Sequence, residues 1–148
     1  MKLHSDHNPG LNTVTAYGAG YIEVNQQRFE GAVAFGPEGE VESWPVQVSA
    51  DITAELLLRA AGLAAAPADD PFAALGGDET EARVTPAGNT EVLLVGTGKR
   101  QHFLRPDVVR PVLMGGVGVE IMDTQAAART YNILMAEGRR VVAVLLPA

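Results

Sequence analysis

The chain contains no cysteine, which excludes disulfides, thiolate nucleophiles and cysteine metal sites. Aromatic side chains are scarce, 5% of 148 residues, so a core must be built from Val, Leu, Ile and Ala. Basic residues are outnumbered, 11 against 18 acidic ones, and the formal net charge is −7. Such a chain repels phosphate backbones unless its few cations cluster, which sets nucleic acid aside as a partner. Long apolar runs are missing too. The longest, Val141 to Leu146, is far short of a membrane span, so no integral membrane segment is expected. The first twelve residues hold no apolar stretch of the signal-peptide kind and too little Arg for a transit peptide. A cytoplasmic protein is the expectation.

What is present is enough for one core. Hydrophobic residues make up 47%, and the length suits a single domain over 1–148. The first third reads as antiparallel hairpins. Val14 to Tyr17 and Tyr21 to Val24 are β-prone, with a tight turn at Asn25-Gln26-Gln27. Arg28 to Phe35 alternates as one strand, and Val41 to Val48 is a further candidate carrying Pro45. Ser49 or Asp51 can cap a helix from Ile52 to Ala61, stopped by Gly62. Residues 63–89 change character, with Ala, Pro, Gly and an acidic run from Asp78 to Glu81. This segment reads as a flexible acidic excursion, with a strand signal near Val84 and Thr85.

From Glu91 the pattern becomes α/β. Val92 to Val95 is a continuous apolar strand of the buried parallel type. Pro106 opens a helix that runs to Met114, short because of Pro111. Val117 to Met122 is the next strand, Asp123 caps a helix from Thr124 to Glu137, and Gly138 ends it. Arg140 to Leu146 is the last strand. The expected fold is therefore α/β in three layers. A mixed central sheet has a parallel βαβαβ C-terminal half, and an antiparallel β-hairpin layer comes from the N-terminus.

Ligands of open α/β sheets bind beyond the carboxyl ends of the parallel strands. Two loops end there, Gly96-Thr97-Gly98-Lys99-Arg100 and Met122-Asp123-Thr124. The first lacks the third glycine of a dinucleotide fingerprint, since Gln101 stands there, and reads as a glycine turn with two basic residues that could hold an anion. Asp123 reads first as a helix cap, a role that fills the place of a bound phosphate. A helical projection from Thr124 puts Ala126, Ala127, Thr130, Ile133 and Leu134 on the core side, with Tyr131 at its edge. Gln125, Arg129 and Asn132 fall on the opposite, solvent side. Glu120, in the strand, takes a partner such as Arg129 or Arg140 if it faces inward, and is a solvated or interface carboxylate if it faces outward. His4, Asp6 and His7 sit in the N-terminal tail, and His102 stands alone beside Phe103. No His-Glu-x-x-His or Gly-x-Ser-x-Gly pattern occurs, so no metal, cofactor or hydrolase nucleophile is indicated.

The stretches Leu93-Leu94-Val95-Gly96-Thr97-Gly98, Gly118-Val119-Glu120-Ile121-Met122-Asp123-Thr124, Ala127, Arg129-Thr130-Tyr131-Asn132-Ile133-Leu134 and Glu137-Gly138-Arg139 carry a resemblance. They are similar to a small α/β family of unknown biochemistry that includes mitochondrial complex I assembly factor 3 and the adipogenesis-associated protein. The resemblance covers most of the chain except 63–89. It implies a three-layer α/β fold, no established catalysis, and action through protein contacts. It draws Asp123, Thr124, Arg129, Tyr131 and Asn132 together as interaction candidates. Two readings follow. One is a non-enzymatic protein-interaction module of the assembly-factor kind, with a protein partner and self-association left open. The other is a small-molecule or anion site, with or without catalysis, on Gly96, Thr97, Gly98, Lys99, Arg100, Asp123, Thr124 and Asn132.

Overall fold

Alternating burial divides the central strands between two cores, and this organises the fold. In the computed structural model, residues 11–65, 84–86 and 90–148 are described. Ten strands are placed among them: β1 (Val14–Gly18), β2 (Tyr21–Val24), β3 (Gln27–Phe29), β4 (Val33–Phe35), β5 (Glu42–Ser43), β6 (Leu63–Ala65), β7 (Val84–Pro86), β8 (Val92–Gly96), β9 (Gly118–Met122) and β10 (Val141–Leu145). The described α-helices are α1 (Ala54–Ala60), α2 (Pro106–Met114) and α3 (Thr124–Ala136).

A five-stranded sheet has the order β5-β4-β10-β8-β9. Strand β10 runs parallel to β8 and β8 parallel to β9, whereas β4 pairs antiparallel with β10. Along β10, Val141, Ala143 and Leu145 enter one core and Val144 and Leu146 the other. That is the two-residue period of a sheet buried on both faces. The first core holds Ala127, Ala128, Tyr131 and Met135 of α3 with Val14, Ile22 and Val24 of the hairpin layer. The second holds Leu57 of α1 and Val112 of α2 with Trp44, Val46 and Ile52. The two parallel crossovers run in opposite directions along the sheet, so α2 and α3 cover opposite faces.

Strands β1, β2 and β3 form the separate antiparallel sheet. Its second turn has Asn25 at φ 52° and Gln26 at φ 69°, both left-handed, as two-residue hairpins require. Asn25 is well suited to this. Its side chain accepts the Thr13 N–H at 3.0 Å and donates to the Asn12 side chain at 2.8 Å.

Several boundaries differ from the sequence reading. The run from Arg28 to Phe35 is not one strand. It breaks between Phe29 and Val33, where the chain leaves the small sheet and enters the large one. From Val41 to Val48 only Glu42–Ser43 forms a strand, on the sheet edge. Helix α1 is capped by neither Ser49 nor Asp51 but by Thr53, whose hydroxyl accepts the Leu56 N–H. Ser49–Asp51 is a separate 3-10 turn, held by the Asp51 carboxylate on the Gln47 and Val48 amides. The flanks of the expected excursion, Leu63–Ala65 and Val84–Pro86, pair antiparallel. The acidic run from Asp78 to Glu81 lies outside the described residues, as do His4, Asp6 and His7.

Candidate functional site

The reversal of direction leaves a switch point between β8 and β9, whose following helices cover opposite faces, the usual position of a ligand crevice. Thr124 fills it. Its hydroxyl donates to the Leu146 carbonyl at 2.6 Å and accepts the Gly98 N–H at 2.8 Å, so one fully buried side chain ties together the exits of β8 and β10. The Leu146 N–H also donates to the Gly96 carbonyl, and Thr124 N–H to the Gly98 carbonyl. Gly96 makes this closeness possible. A Cβ there would lie 2.9 Å from Leu145 Cδ2 and 3.0 Å from Thr124 Cα. Gly98 has φ +104°, a conformation side chains rarely adopt.

Thr97 secures the same corner. Its hydroxyl donates to the Arg100 carbonyl at 2.7 Å and accepts the His102 N–H at 3.0 Å. Asp123 is the cap of α3, its carboxylate accepting the Ala126 N–H at 2.9 Å. Of the first amides of α3, which would otherwise greet an anion, those of Thr124 and Ala126 are thus engaged by Gly98 and Asp123. Lys99, Arg100 and His102 remain exposed on the loop.

Helix α3 is rotated from its projected orientation by about one residue step, or about 100°. Thr124, Ala127, Ala128, Tyr131 and Met135 are buried, and Ile133 is 59% exposed. The cause is the hairpin layer, which covers the helix flank that a two-layer projection leaves to solvent. Tyr131 is a core residue. Its ring meets Phe35 edge-on at 4.8 Å, and its hydroxyl donates to the Asn12 carbonyl at 2.8 Å. Burial raises its phenol well above the ordinary tyrosine range.

Asn132 does not face open solvent either. Its amide accepts the Val14 N–H at 2.9 Å and donates to the Val14 carbonyl at 2.8 Å, docking β1 on α3 as a further strand would. Arg129 is exposed and donates to the Tyr17 hydroxyl at 3.1 Å. Thr130 donates to the Met122 sulfur at 3.5 Å. Glu120 is exposed, as in the outward alternative, and has no ion pair with Arg129 or Arg140. Arg140 instead lies 3.4 Å from Glu91, which Arg139 also holds at 2.9 Å. The candidates therefore do not converge. Thr97, Gly98, Asp123 and Thr124 form one closed corner, and Tyr131 with Asn132 forms a separate hairpin clamp.

At the other end of the strands lies a cleft of about 660 Å3. Phe35, Met135 and Val141 line it together with Glu38, Glu40 and Arg59. Sequence reading passed over this end because its residues come from five distant segments. Glu91, before β8, and Arg139–Arg140, before β10, offered the only local hint, opposite charges at the starts of two apolar strands.

Comparison with known proteins follows from this architecture. The family described as a protein of unknown function (DUF498/DUF598) matches residues 14–146. The chain belongs to that family. Its fold is that of solved relatives. A crystal structure of a Bordetella parapertussis protein is 60% identical with a TM-score of 0.76, covering 96% of this chain and 100% of that one. A Bordetella pertussis protein solved by NMR, described as a Mth938-like domain, is 66% identical with a TM-score of 0.75, covering 99% and 92%. Among curated relatives, NADH dehydrogenase [ubiquinone] 1 alpha subcomplex assembly factor 3 of Bos taurus is 44% identical over 57 residues. That match takes in 38% of this chain and spans 31% of the bovine protein's length. Among the described residues, no helix is long and apolar enough to cross a membrane.

Proposed function

We propose that the chain is a non-enzymatic protein-interaction module serving as an assembly or biogenesis factor for a respiratory or membrane complex. The observation that carries this reading is the engagement of the family's polar side chains. Thr97, Thr124, Tyr131 and Asn132 each hold one part of the fold to another, and Asp123 caps α3. Acid–base catalysis needs a titratable pair free to reach a substrate proton, and the strand-end corner offers a capped carboxylate and two hydroxyls already bonded. The likeness to the bovine assembly factor supports the same reading.

The test is genetic and biochemical. Deleting the chain in its native host should lower the amount of assembled NADH dehydrogenase on native gels, with subunit synthesis unchanged, and re-expression should restore it. Full assembly in the deletion strain, for this complex and the other membrane complexes resolved on the gel, would overturn the reading.

A further inference from the structure

The acidic chain carries a local reversal of charge. Between Lys99 and Arg110 it places Lys99, Arg100, Arg105 and Arg110 against one acid, Asp107, although the whole chain is at −7. Asp107 is held by Arg105 at 3.0 Å. Among the described residues Lys99, Arg100 and Arg110 have no carboxylate within ion-pair distance, and all three are exposed. In the middle of this stretch stands Phe103, 89% exposed and, among the described residues, the most exposed of the large apolar side chains.

This loop is presented firmly. The Thr97 hydroxyl grips the Arg100 carbonyl and the His102 amide, and the Gln101 side chain donates to the Ile121 carbonyl of the edge strand at 2.9 Å. Three consecutive residues before Phe103 are thus anchored, and Pro106 starts α2 three residues after it. An aromatic ring held outward on a rigid loop is a built feature, since nothing in the local packing requires it there.

We propose that the Lys99–Arg110 segment docks the protein on an anionic lipid surface, with Phe103 entering the headgroup–acyl boundary and Lys99 and Arg100 meeting the lipid phosphates. This inference goes beyond the assembly-factor reading and does not depend on it. Charge decides the occupant: the segment is cationic within an anionic protein, and at physiological salt charges interact over about 8 Å, so the acidic remainder is largely screened from a surface touching this loop. Shape decides against an acidic protein partner. Protein hot spots sit in desolvated pockets ringed by packed residues. Phe103 instead protrudes almost alone, between cations that belong at headgroup level. Glu120 and Asp123 are the nearby acids in sequence contact with the loop's anchors, and Asp123 is occupied by the start of α3.

The experiment is vesicle co-sedimentation of the full chain, with phosphatidylcholine vesicles compared against vesicles containing about a third phosphatidylglycerol. Binding is expected only to the anionic vesicles, and should fall as salt is raised. Lys99→Gln with Arg100→Gln should lower partitioning about twentyfold, since each cation near such a surface contributes about a factor of five. Phe103→Ala should lower it about tenfold through lost apolar burial, while Ile133→Ala, on the exposed side of α3, should leave it unchanged. All these side chains are exposed, and an unaltered melting temperature verifies that each variant is folded. Equal binding to both vesicle types, no binding to either, or an Ile133→Ala loss as large as that of Phe103→Ala would overturn the proposal. Quantitative displacement of the protein from the vesicles by a poly-glutamate peptide, undiminished in Phe103→Ala, would also overturn it by assigning the cations to an acidic partner.

Discussion

The two ends of the parallel strands are built in opposite ways. At their carboxyl ends, where α/β sheets ordinarily hold ligands, Thr124 bonds the exits of β8 and β10 to each other and Gly96 lets the helix start touch the sheet. At their amino ends a cleft stays open, bordered by Phe35, Met135 and Val141 and by the Glu91–Arg139–Arg140 cluster. The difference teaches what several of the resemblance-bearing side chains do in this fold. Thr97 and Thr124 sit at the closed end and Tyr131 and Asn132 in the hairpin clamp, and these four join distant segments. The open end is lined by Gly138 and Arg139 of the last resemblance-bearing stretch, together with residues outside those stretches.

The largest expected effect tests that junction. Thr124→Val keeps the shape and removes the hydroxyl, leaving the Gly98 N–H and the Leu146 carbonyl buried without this partner. Two such orphaned groups should lower stability by about 3 kcal/mol, measured by urea unfolding, while Thr124→Ser should recover most of it. A Thr124→Val protein within experimental error of the wild type would mean that the corner is not closed by this residue. Asn132→Ala comes next. It strips both bonds from Val14 and should cost about 2 kcal/mol. Its loss should be local: the Val14 amide should exchange faster with solvent, while Leu94 in the central strand keeps its protection. Equal acceleration at both sites would make the hairpin part of one cooperative unit with the sheet. Gly96→Ala is smaller again, about 1–2 kcal/mol, because the new methyl meets the Thr124 backbone as well as the movable tip of Leu145. Combined with Thr124→Val it should cost less than the sum of the two, since both act at one contact.

Much of the architecture was legible because it is written locally. Pro106 opens α2, Asp123 caps α3, and Gly62 and Gly138 take positive φ just beyond helix ends. The alternation and the apolar runs of the strands yielded a mixed sheet with a hairpin layer. What sequence reading missed depends on a third layer. An amphipathic projection assumes one covered face, but α3 is covered by the sheet and by β1 together. Ile133 therefore comes out, Tyr131 goes in, and Asn132 finds a partner 118 residues away. The break within Arg28 to Phe35 was hidden for a similar reason: both halves alternate, and only the pairing partners show that they belong to different sheets. Phe103 entered the sequence reading only as the neighbour of His102, and its meaning needed its exposure.

The smallest effect lies at the open end and is read through pH. Glu91 is held below the ordinary glutamate range, chiefly by its hydrogen bond with the Arg139 side chain and then by the Arg140 backbone N–H. Its carboxylate form is thus favoured in the folded protein more than in the unfolded chain. The resulting stability is present above the unfolded glutamate value and is lost as pH falls through the lower folded value. Melting temperature followed from neutral pH into that acid window should decline for the wild type, and should decline less for Glu91→Gln, whose side chain does not titrate. Added salt should shrink the difference between the two proteins, because Arg139 and Arg140 are both exposed. Parallel curves at all pH values would show that the cluster rims the cleft without bracing it. Wholesale loss of fold in Glu91→Gln would instead make the open end as structurally committed as the closed one.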